Sequence, residues 1–171
     1  QTLVAIARAG NVIGGGDWAR DRLVPDIIKS IFEKNEKIII RNPQAIRPWE
    51  HVLEPLSGYL LLAQKLYEKN KSLSGAWNFG PDDESFATVE TLVEKSLKIL
   101  KKGKYQIKKT KLKHEATLLK LDTTKAKTVL GWTPTLNFNE NLNLTLNWYK
   151  KYYEKKHNMI KITENQINEF F

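Results

Sequence analysis

The residues most suggestive of chemistry are three consecutive glycines in the segment RAGNVIGGGDWAR, residues 8–20, which follows the apolar run TLVAIA. Gly14, Gly16 and Ala19 match the G-x-G-x-x-A pattern of a strand-to-helix turn that binds the pyrophosphate of a dinucleotide. Glu36 lies about twenty residues further on, where such a site would have the acid that binds the cofactor ribose. The spacing raises the question of whether this loop binds a dinucleotide.

Three features argue against that interpretation. A helix must begin within the motif to face the pyrophosphate, yet Pro25 falls in its second turn, where it would break the helix. Asp17 and Asp21 put negative charge where the pyrophosphate would lie, and Glu36 precedes a predicted strand instead of ending one. The glycines are therefore interpreted as the exit from a strand. Asn11 lies at that exit, where α/β sheets bind ligands, although an asparagine turn explains it equally well.

Composition narrows the possible function classes. The 171-residue chain has the length of one ordinary domain, and its 41% hydrophobic residues are enough for a packed core. It contains no cysteine, which excludes disulfides, thiolate metal sites and a cysteine nucleophile. No apolar run is long enough to span a membrane, so we expect a cytoplasmic protein without a membrane partner. No metal site is predicted.

The net charge of +9 is concentrated in one tract, because Lys95 to Lys113 contains nine lysines and no acid. A nucleic-acid surface usually combines arginine and aromatic residues with lysine, whereas this tract has only Tyr105 and no arginine. It is therefore predicted to be a solvated surface, and nucleic acid is not an expected partner. The alternative from a different functional class is a basic module that binds an anionic polymer.

Hydrophobic periodicity predicts alternating strands and helices, and hence an α/β protein. Strands are expected at 2–8, 37–41, 76–80 and 116–122, the first of them covered on both faces as in a parallel sheet. Helices are expected to begin at Pro25, at Pro55, after an N-cap at Thr88, after Asp122 or Thr123, and near Asn139. The helix at Pro55 should bury one stripe, formed by Leu56, Tyr59, Leu60, Ala63, Leu66 and Tyr67. No structure is predicted after residue 156.

Four motifs occur in the order ARAGNVIGGGDWARDRLVPD, IRPWEHVLEPLSGYLLLA, WNFGP and LDTTKAKTVLGWTP. Over about residues 2–149 they resemble the C-terminal half of the extended short-chain dehydrogenase/reductases that modify nucleotide sugars. Within that family, Gly-Gly-Asp-Trp, Arg-Pro-Trp-Glu-His-Val and the His-Glu-Ala before Leu121 are most similar to the CDP-glucose 4,6-dehydratases. The resemblance implies the C-terminal part of an NAD(P)-binding Rossmann fold, with late parallel strands and a smaller mixed α/β substrate-binding domain.

This resemblance also implies a division of the chain and an activity. Residues 1–12 and 41–80 would belong to the Rossmann domain, 13–40 and 81–156 to the substrate domain, and 157–171 to a C-terminal tail. The complete enzyme would be a lyase of deoxysugar and lipopolysaccharide biosynthesis that converts CDP-glucose to CDP-4-keto-6-deoxyglucose with NAD, and it would form a homo-oligomer. The alternative enzyme is a related nucleotide-sugar epimerase or decarboxylase.

Family roles carry over only to matching residues. Asn11 and Arg47 would bind the diphosphate of the sugar nucleotide, since a guanidinium can make bidentate bonds to phosphate oxygens. Without the family, Arg47 would more often be a salt-bridge partner in a loop. The other substrate-binding residues implied are Arg22, Leu23, Val24, Glu115, Asn78 and Trp18, and the weakly implied cofactor contacts are Ala9 and Gly10. Leu23 and Val24 are also explained as core residues.

No catalytic residue is assigned within the chain. The family's Tyr-x-x-x-Lys pair and glycine-rich cofactor loop come before the strand that matches TLVAIAR, so the chain is expected to be a fragment without dehydratase activity of its own. The same spacing occurs in three later pairs, none of which is accepted: Tyr67/Lys71, Tyr105/Lys109 and Tyr152/Lys156. His51 could titrate near neutrality, but it is expected to be structural.

Overall fold

The computed structural model describes residues 2–68, 71–108 and 119–171. Within these ranges the strands are β1 (Ala5–Ala9), β2 (Asn11–Ile13), β3 (Ile38–Ile40), β4 (Ile46–His51), β5 (Gly75–Phe79), β6 (Phe86–Thr88) and β7 (Tyr105–Ile107). The α-helices are α1 (Leu23–Lys29), α2 (Leu53–Tyr67), α3 (Val89–Leu100), α4 (Phe138–Glu154) and α5 (Met159–Phe170). The alternation of strands and helices confirms the predicted α/β class.

The strands form three small sheets. β1 pairs with β5 in parallel, and β3 pairs with β7 in parallel. The third sheet has the order β2-β4-β6, in which β2 runs parallel and β6 antiparallel to β4. A single residue, Gly10, separates β1 from β2, so the chain changes sheets within one residue of Asn11.

The first strand is not covered on both faces, contrary to the prediction. Ala5 and Ala7 pack against the core that contains β5, whereas Val4 and Ile6 point the other way and are 64% and 63% exposed. Successive side chains of a strand alternate between its two faces, so only every second residue of this apolar run packs against the core.

The predicted buried stripe of α2 is confirmed for Tyr59 and Leu66, which pack against the core around Phe79, and it is wrong for the other members. The helix buries Glu54, Gly58 and Leu62, while Leu60 and Tyr67 of the predicted stripe are mostly exposed. The reason is the close approach of β5 to the smallest residue of the helix. A Cβ atom on Gly58 would lie 2.2 Å from Cδ1 of Phe79, so this face of α2 rests directly on the aromatic ring.

The helix predicted at Pro25 begins two residues earlier, at Leu23. Pro25 occupies its first turn, where the backbone N–H that proline lacks would have no intrahelical partner. The helix continues into a π-helical turn at Ser30–Lys34. This helical segment ends at Asn35, whose φ of 53° is left-handed. No helix starts within the glycine run, so the run lacks the helix N-terminus that a dinucleotide-binding loop needs.

Other local predictions are confirmed by their caps. The side chain of Thr88 accepts a hydrogen bond from the N–H of Thr91 and caps α3, and Gly131 ends the turn at Ala126–Leu130 with a φ of 74°. Residues 119–122 form no strand, and the remainder of the strand predicted at 116–122 lies outside the described residues. Contrary to the expectation of no structure after residue 156, this segment forms α5, and the side chain of Asn158 caps it by accepting from the N–H groups of Ile160 and Lys161.

Two apolar clusters hold the described residues together. One contains Ile27 and Ile28 of α1 together with Leu142 and Leu146 of α4. The second joins α2 and β5 to the segment around Trp132. The division into a Rossmann part and a substrate part stays a prediction. Across 2–68, 71–108 and 119–171, no helix has the length and apolar character needed to cross a bilayer.

Candidate functional site

An open cleft of about 950 Å³ lies between β2, α1, β3 and the start of β4. Most of the residues that the sequence singled out for substrate binding line it, namely Asn11, Arg22, Leu23, Val24 and Arg47. Gly10, the weakly implied cofactor contact, lines it as well. Residues separated by as many as 37 positions in the sequence thus share one concave surface, which is the usual form of a small-molecule site.

Asn11 begins β2 and pairs with Trp49 of β4 in the parallel ladder. Its side-chain oxygen Oδ1 is buried and has no hydrogen-bond partner among the described residues. A buried polar atom without a partner costs free energy, so such an atom on the wall of a cleft marks a place where a ligand can restore a hydrogen bond.

Arg47 lies on β4 two residues before Trp49, and the alternation of the strand directs both side chains to the cleft. The buried indole of Trp49 donates from Nε1 to the carbonyl of Ala87 at 3.1 Å, which fixes this strand against β6. The Nη1 of Arg47 donates to the carbonyl of Ile46 at 2.9 Å. The guanidinium is therefore carried by a strand that is fixed on both sides.

Arg22 also lines the cleft and immediately precedes α1. Its Nη1 forms an ion pair with Oδ2 of Asp17 at 3.2 Å, and Oδ1 of the same carboxylate accepts from the N–H of Ala19. Leu23 is half-buried, whereas Val24 is almost completely buried and also belongs to the core. Leu23 is therefore the more available apolar surface for a flat ring.

The cleft carries more positive than negative side chains, which favours an anionic ligand. Its cations are Arg22, Lys29, Lys34, Lys37, Arg41 and Arg47, and its acids are Asp17, Asp21, Asp26 and Glu36. The pKa of Asp26 is raised, mainly by burial and then by Asp21, against the opposing influence of cations that include Arg41. Lys29, Asp26 and Arg41 are not among the residues predicted from the sequence, and the basic residues that flank the strand KIIIR were a signal for Arg41 alone.

The glycine run serves close packing. A Cβ atom on Gly15 would lie 2.1 Å from Cγ of Trp148, so only glycine lets the loop rest on α4. The hydroxyl of Tyr149 donates to the carbonyl of Asp17 at 2.6 Å. Helix α4 therefore fixes the loop that carries Asp17, the partner of Arg22.

Several predicted site residues lie elsewhere. Trp18 packs against Tyr149, Tyr152 and Tyr153 and is not among the residues that line the cleft, because the aromatic end of α4 draws it away.

The other exceptions lie at the ends of β1 and β5 or outside the described residues. Asn78 donates from Nδ2 to the carbonyl of Asp122 at 3.0 Å, at the end of β5 and away from the cleft. Ala9 also lies outside the lining, while Glu115 lies outside the described residues.

The tyrosines of the three rejected Tyr/Lys pairs do not line the cleft. Tyr67 is 89% exposed at the end of α2, and Tyr152 stacks on Trp148. The hydroxyl of Tyr105 donates to carboxylates of Glu90 and Glu94, which raises its pKa and opposes its use as a base.

Behind the cleft, three buried titratable residues follow one another in β4 and α2. Burial lowers the pKa of His51 to about 4, and its Nδ1 accepts from the N–H of Leu53, which fits the structural role expected for it. Burial raises the pKa of Glu50 to about 8. Glu54 accepts from the N–H and the hydroxyl of Thr135, which ties α2 to the segment before α4. Neither Glu50 nor Glu54 is among the residues predicted from the sequence.

No protein-family model matches the chain. The chain is 46% identical over 168 residues to CDP-glucose 4,6-dehydratase of Salmonella typhimurium (strain LT2), covering 98% of this chain and 46% of that protein.

Among solved structures, a UDP-glucose 4-epimerase of Stenotrophomonas maltophilia with NAD and formylated UDP-arabinopyranose has a TM-score of 0.75 at 17% identity, over 91% of this chain and 50% of that one. A dTDP-glucose 4,6-dehydratase of Bacillus anthracis with NAD has a TM-score of 0.71 at 22% identity, over 88% and 46%. The chain thus spans about half the length of these relatives.

Proposed function

We propose that this chain belongs to the extended short-chain dehydrogenase/reductase family and is the substrate-binding portion of a CDP-glucose 4,6-dehydratase. The observation that carries the proposal is the single cleft lined by Asn11, Arg22 and Arg47 together with Leu23. The 46% identity to a CDP-glucose 4,6-dehydratase supports the choice of CDP-glucose over other nucleotide sugars.

In this proposal Arg47 binds the diphosphate. Its planar guanidinium can form two parallel charge-assisted bonds to phosphate oxygens, which a lysine could not do. Arg22 lines the same cleft and can bind the diphosphate when the diphosphate competes for its ion pair with Asp17. Asn11 completes the set, because its Nδ2 can donate to the diphosphate and its Oδ1, which has no other partner among the described residues, can accept from a hydroxyl of the sugar or the ribose.

The described residues do not form a dinucleotide pocket by themselves. The glycine run leads into no helix until Leu23, and Gly15 rests on Trp148, so neither feature forms a pyrophosphate cradle. We therefore assign NAD mainly to residues outside this chain, with Ala9 and Gly10 at its edge. NAD supplies the internal transfer of hydride by which CDP-glucose becomes CDP-4-keto-6-deoxyglucose with loss of water. The residues of this chain contribute position and charge neutralisation, and no proton transfer.

Exposed apolar side chains support this division of labour. Val4, just before β1, and Ile6 of β1 face away from the core, and on α2 Leu60 and Tyr67 are mostly exposed. Neighbouring apolar residues such as Val4 and Ile6 are normally covered by a further layer of protein. In this proposal they pack against the remainder of a Rossmann domain. The cytoplasmic location, the role in lipopolysaccharide biosynthesis and the homo-oligomer are expected from the family alone.

A related nucleotide-sugar epimerase is the second candidate, favoured by the fold it shares with a UDP-glucose 4-epimerase. Calorimetric titration of the 171-residue chain with CDP, UDP and dTDP distinguishes the two. CDP should bind most tightly under the first proposal, and UDP under the second. Equal affinity for all three would contradict base selection by this chain.

Arg47→Ala tests the diphosphate site directly. The loss of a charge-assisted bidentate contact should weaken CDP binding by about tenfold to a hundredfold, and Arg47→Lys should recover only part of it. Arg20→Ala is the matched control, because Arg20 is exposed and does not line the cleft. Unchanged affinity in folded Arg47→Ala would refute the assignment. The chain by itself should not turn over CDP-glucose.

A further inference from the structure

The change of sheet at Gly10 is held by one buried side chain. The N–H of Gly10 lies between the last residue of β1 and the first of β2, and it donates to Oε1 of Glu50 at 3.0 Å. The carbonyl of Gly10 accepts from the N–H of Val12 at 3.1 Å. Both polar groups of the residue before Asn11 are thereby engaged, and one of them depends on Glu50.

Glu50 is firmly placed to do this. It is completely buried in β4, where it pairs with Val12. A Cβ atom on Gly10 would lie 3.7 Å from Oε1 of Glu50, which shows how closely the carboxyl approaches the backbone. The alternation of β4 turns Arg47 and Trp49 to the cleft and Glu50 to the other side. Strand β4 therefore carries both Arg47, which lines the cleft, and Glu50, which holds the N–H of Gly10 at the junction of β1 and β2.

A carboxyl group is a costly way to fill this position, because burying a polar group is unfavourable unless it makes hydrogen bonds. The second oxygen, Oε2, has no partner among the described residues. The titratable groups that act on Glu50 are Glu54 and Tyr59, both on α2, and neither supplies a counter-charge. The bond to Gly10 is thus the contact by which this carboxyl offsets its burial.

We propose that Glu50 is a positioning residue that acts through Gly10 to set Asn11 in the cleft. Asn11 follows Gly10 directly, so the orientation of its peptide depends on how the Gly10 N–H is held. The inference rests on the proposed function for the ligand, CDP, but the contact itself can be tested without any ligand.

A double-mutant cycle on the 171-residue chain tests the coupling, with CDP affinity measured at about pH 6, where the carboxyl of the folded protein is neutral. Glu50→Met removes the acceptor at similar volume and should weaken CDP binding about fivefold, the equivalent of one hydrogen bond. Glu50→Gln keeps an acceptor and should bind CDP as the wild type does. In the Asn11→Ala background, Glu50→Met should have almost no further effect. An equal loss of CDP affinity in both backgrounds would overturn the proposal, because a general structural defect would weaken binding whether or not the Asn11 side chain is present.

An NMR titration of the wild type requires neither CDP nor the Met variant. Between about pH 6 and 9, the amide resonance of Gly10 and the side-chain amide of Asn11 should shift with one midpoint as Glu50 ionises. Glu50→Gln should abolish that titration. A Gly10 amide that does not respond, or an Asn11 amide that stays fixed while Gly10 moves, would overturn the proposal. Failure of the wild type to bind CDP would instead count against the proposed function and leave this result standing.

Discussion

Replacing Glu50 with glutamine should change how the stability of the protein depends on pH. Burial raises the pKa of Glu50 from 4.5 to about 8 in the folded chain. In the interval between those values the folded state holds a proton that the unfolded state has released. Stability therefore falls as the pH rises through this interval, and it levels off above it. Glutamine has the same shape and does not ionise, so the variant should lack this loss.

The size of the effect follows from the shift in pKa. Over the whole interval the linkage costs the folded state about 5 kcal/mol, and between about pH 6.5 and 8 it costs about 2 kcal/mol. Measurements should stay above about pH 6.5, because His51 contributes with the opposite sign below it. The pKa of His51 falls from 6.5 to about 4 on burial, so the stability that depends on its neutral form is lost as the pH falls through that range.

Urea unfolding followed by tryptophan fluorescence at several values of pH would measure this. The wild type should lose about 2 kcal/mol between about pH 6.5 and 8, and Glu50→Gln should remain nearly level and be more stable throughout. Glu169→Gln is the control, because this exposed acid of α5 should leave the wild-type slope unchanged. A level wild-type curve, or the same slope in Glu50→Gln, would refute the reasoning.

Two further outcomes follow from the loop beside the cleft. Asp17→Asn removes the ion-pair partner of Arg22 and one negative charge from the cleft. CDP should therefore bind about two- to threefold more tightly at low salt, with a smaller gain at high salt. Titrations at two ionic strengths measure this, and weaker binding of CDP would contradict it. Gly15→Ala forces a methyl group into Trp148 and should destabilise the chain by about 2 kcal/mol or more. Gly80→Ala is its matched control in urea unfolding, because the added atom would lie 3.5 Å from Thr123, and equal stabilities would show that the loop moves freely.

The amino-acid sequence determined the features that depend on neighbours along the chain. The cap at Thr88, the end at Gly131 and the helix beginning near Asn139 follow from local hydrogen bonding and backbone preference. Pro25 and the acids at 17 and 21 likewise excluded a dinucleotide loop. Motifs in a fixed order indicated the family, and with it Asn11 and Arg47, before any distance was known.

Only the tertiary structure decided which surfaces meet. The periodicity of α2 indicated a buried stripe through Leu60, but the approach of Phe79 to Gly58 leaves Leu60 exposed, while Tyr59 of the same stripe packs on Phe79. Arg41 reaches the cleft only because the fold brings the end of β3 to the same cleft as α1.

Trp18 and Glu50 depended on partners far away in the sequence. Trp18 packs against aromatic residues of α4, which lie more than a hundred residues further along the chain, and it therefore does not line the cleft. Glu50 is a buried acid because Gly10, forty residues earlier, brings its N–H to the same place. Burial and hydrogen bonding between distant segments leave no periodic trace in a single sequence, which is why these assignments required the folded structure.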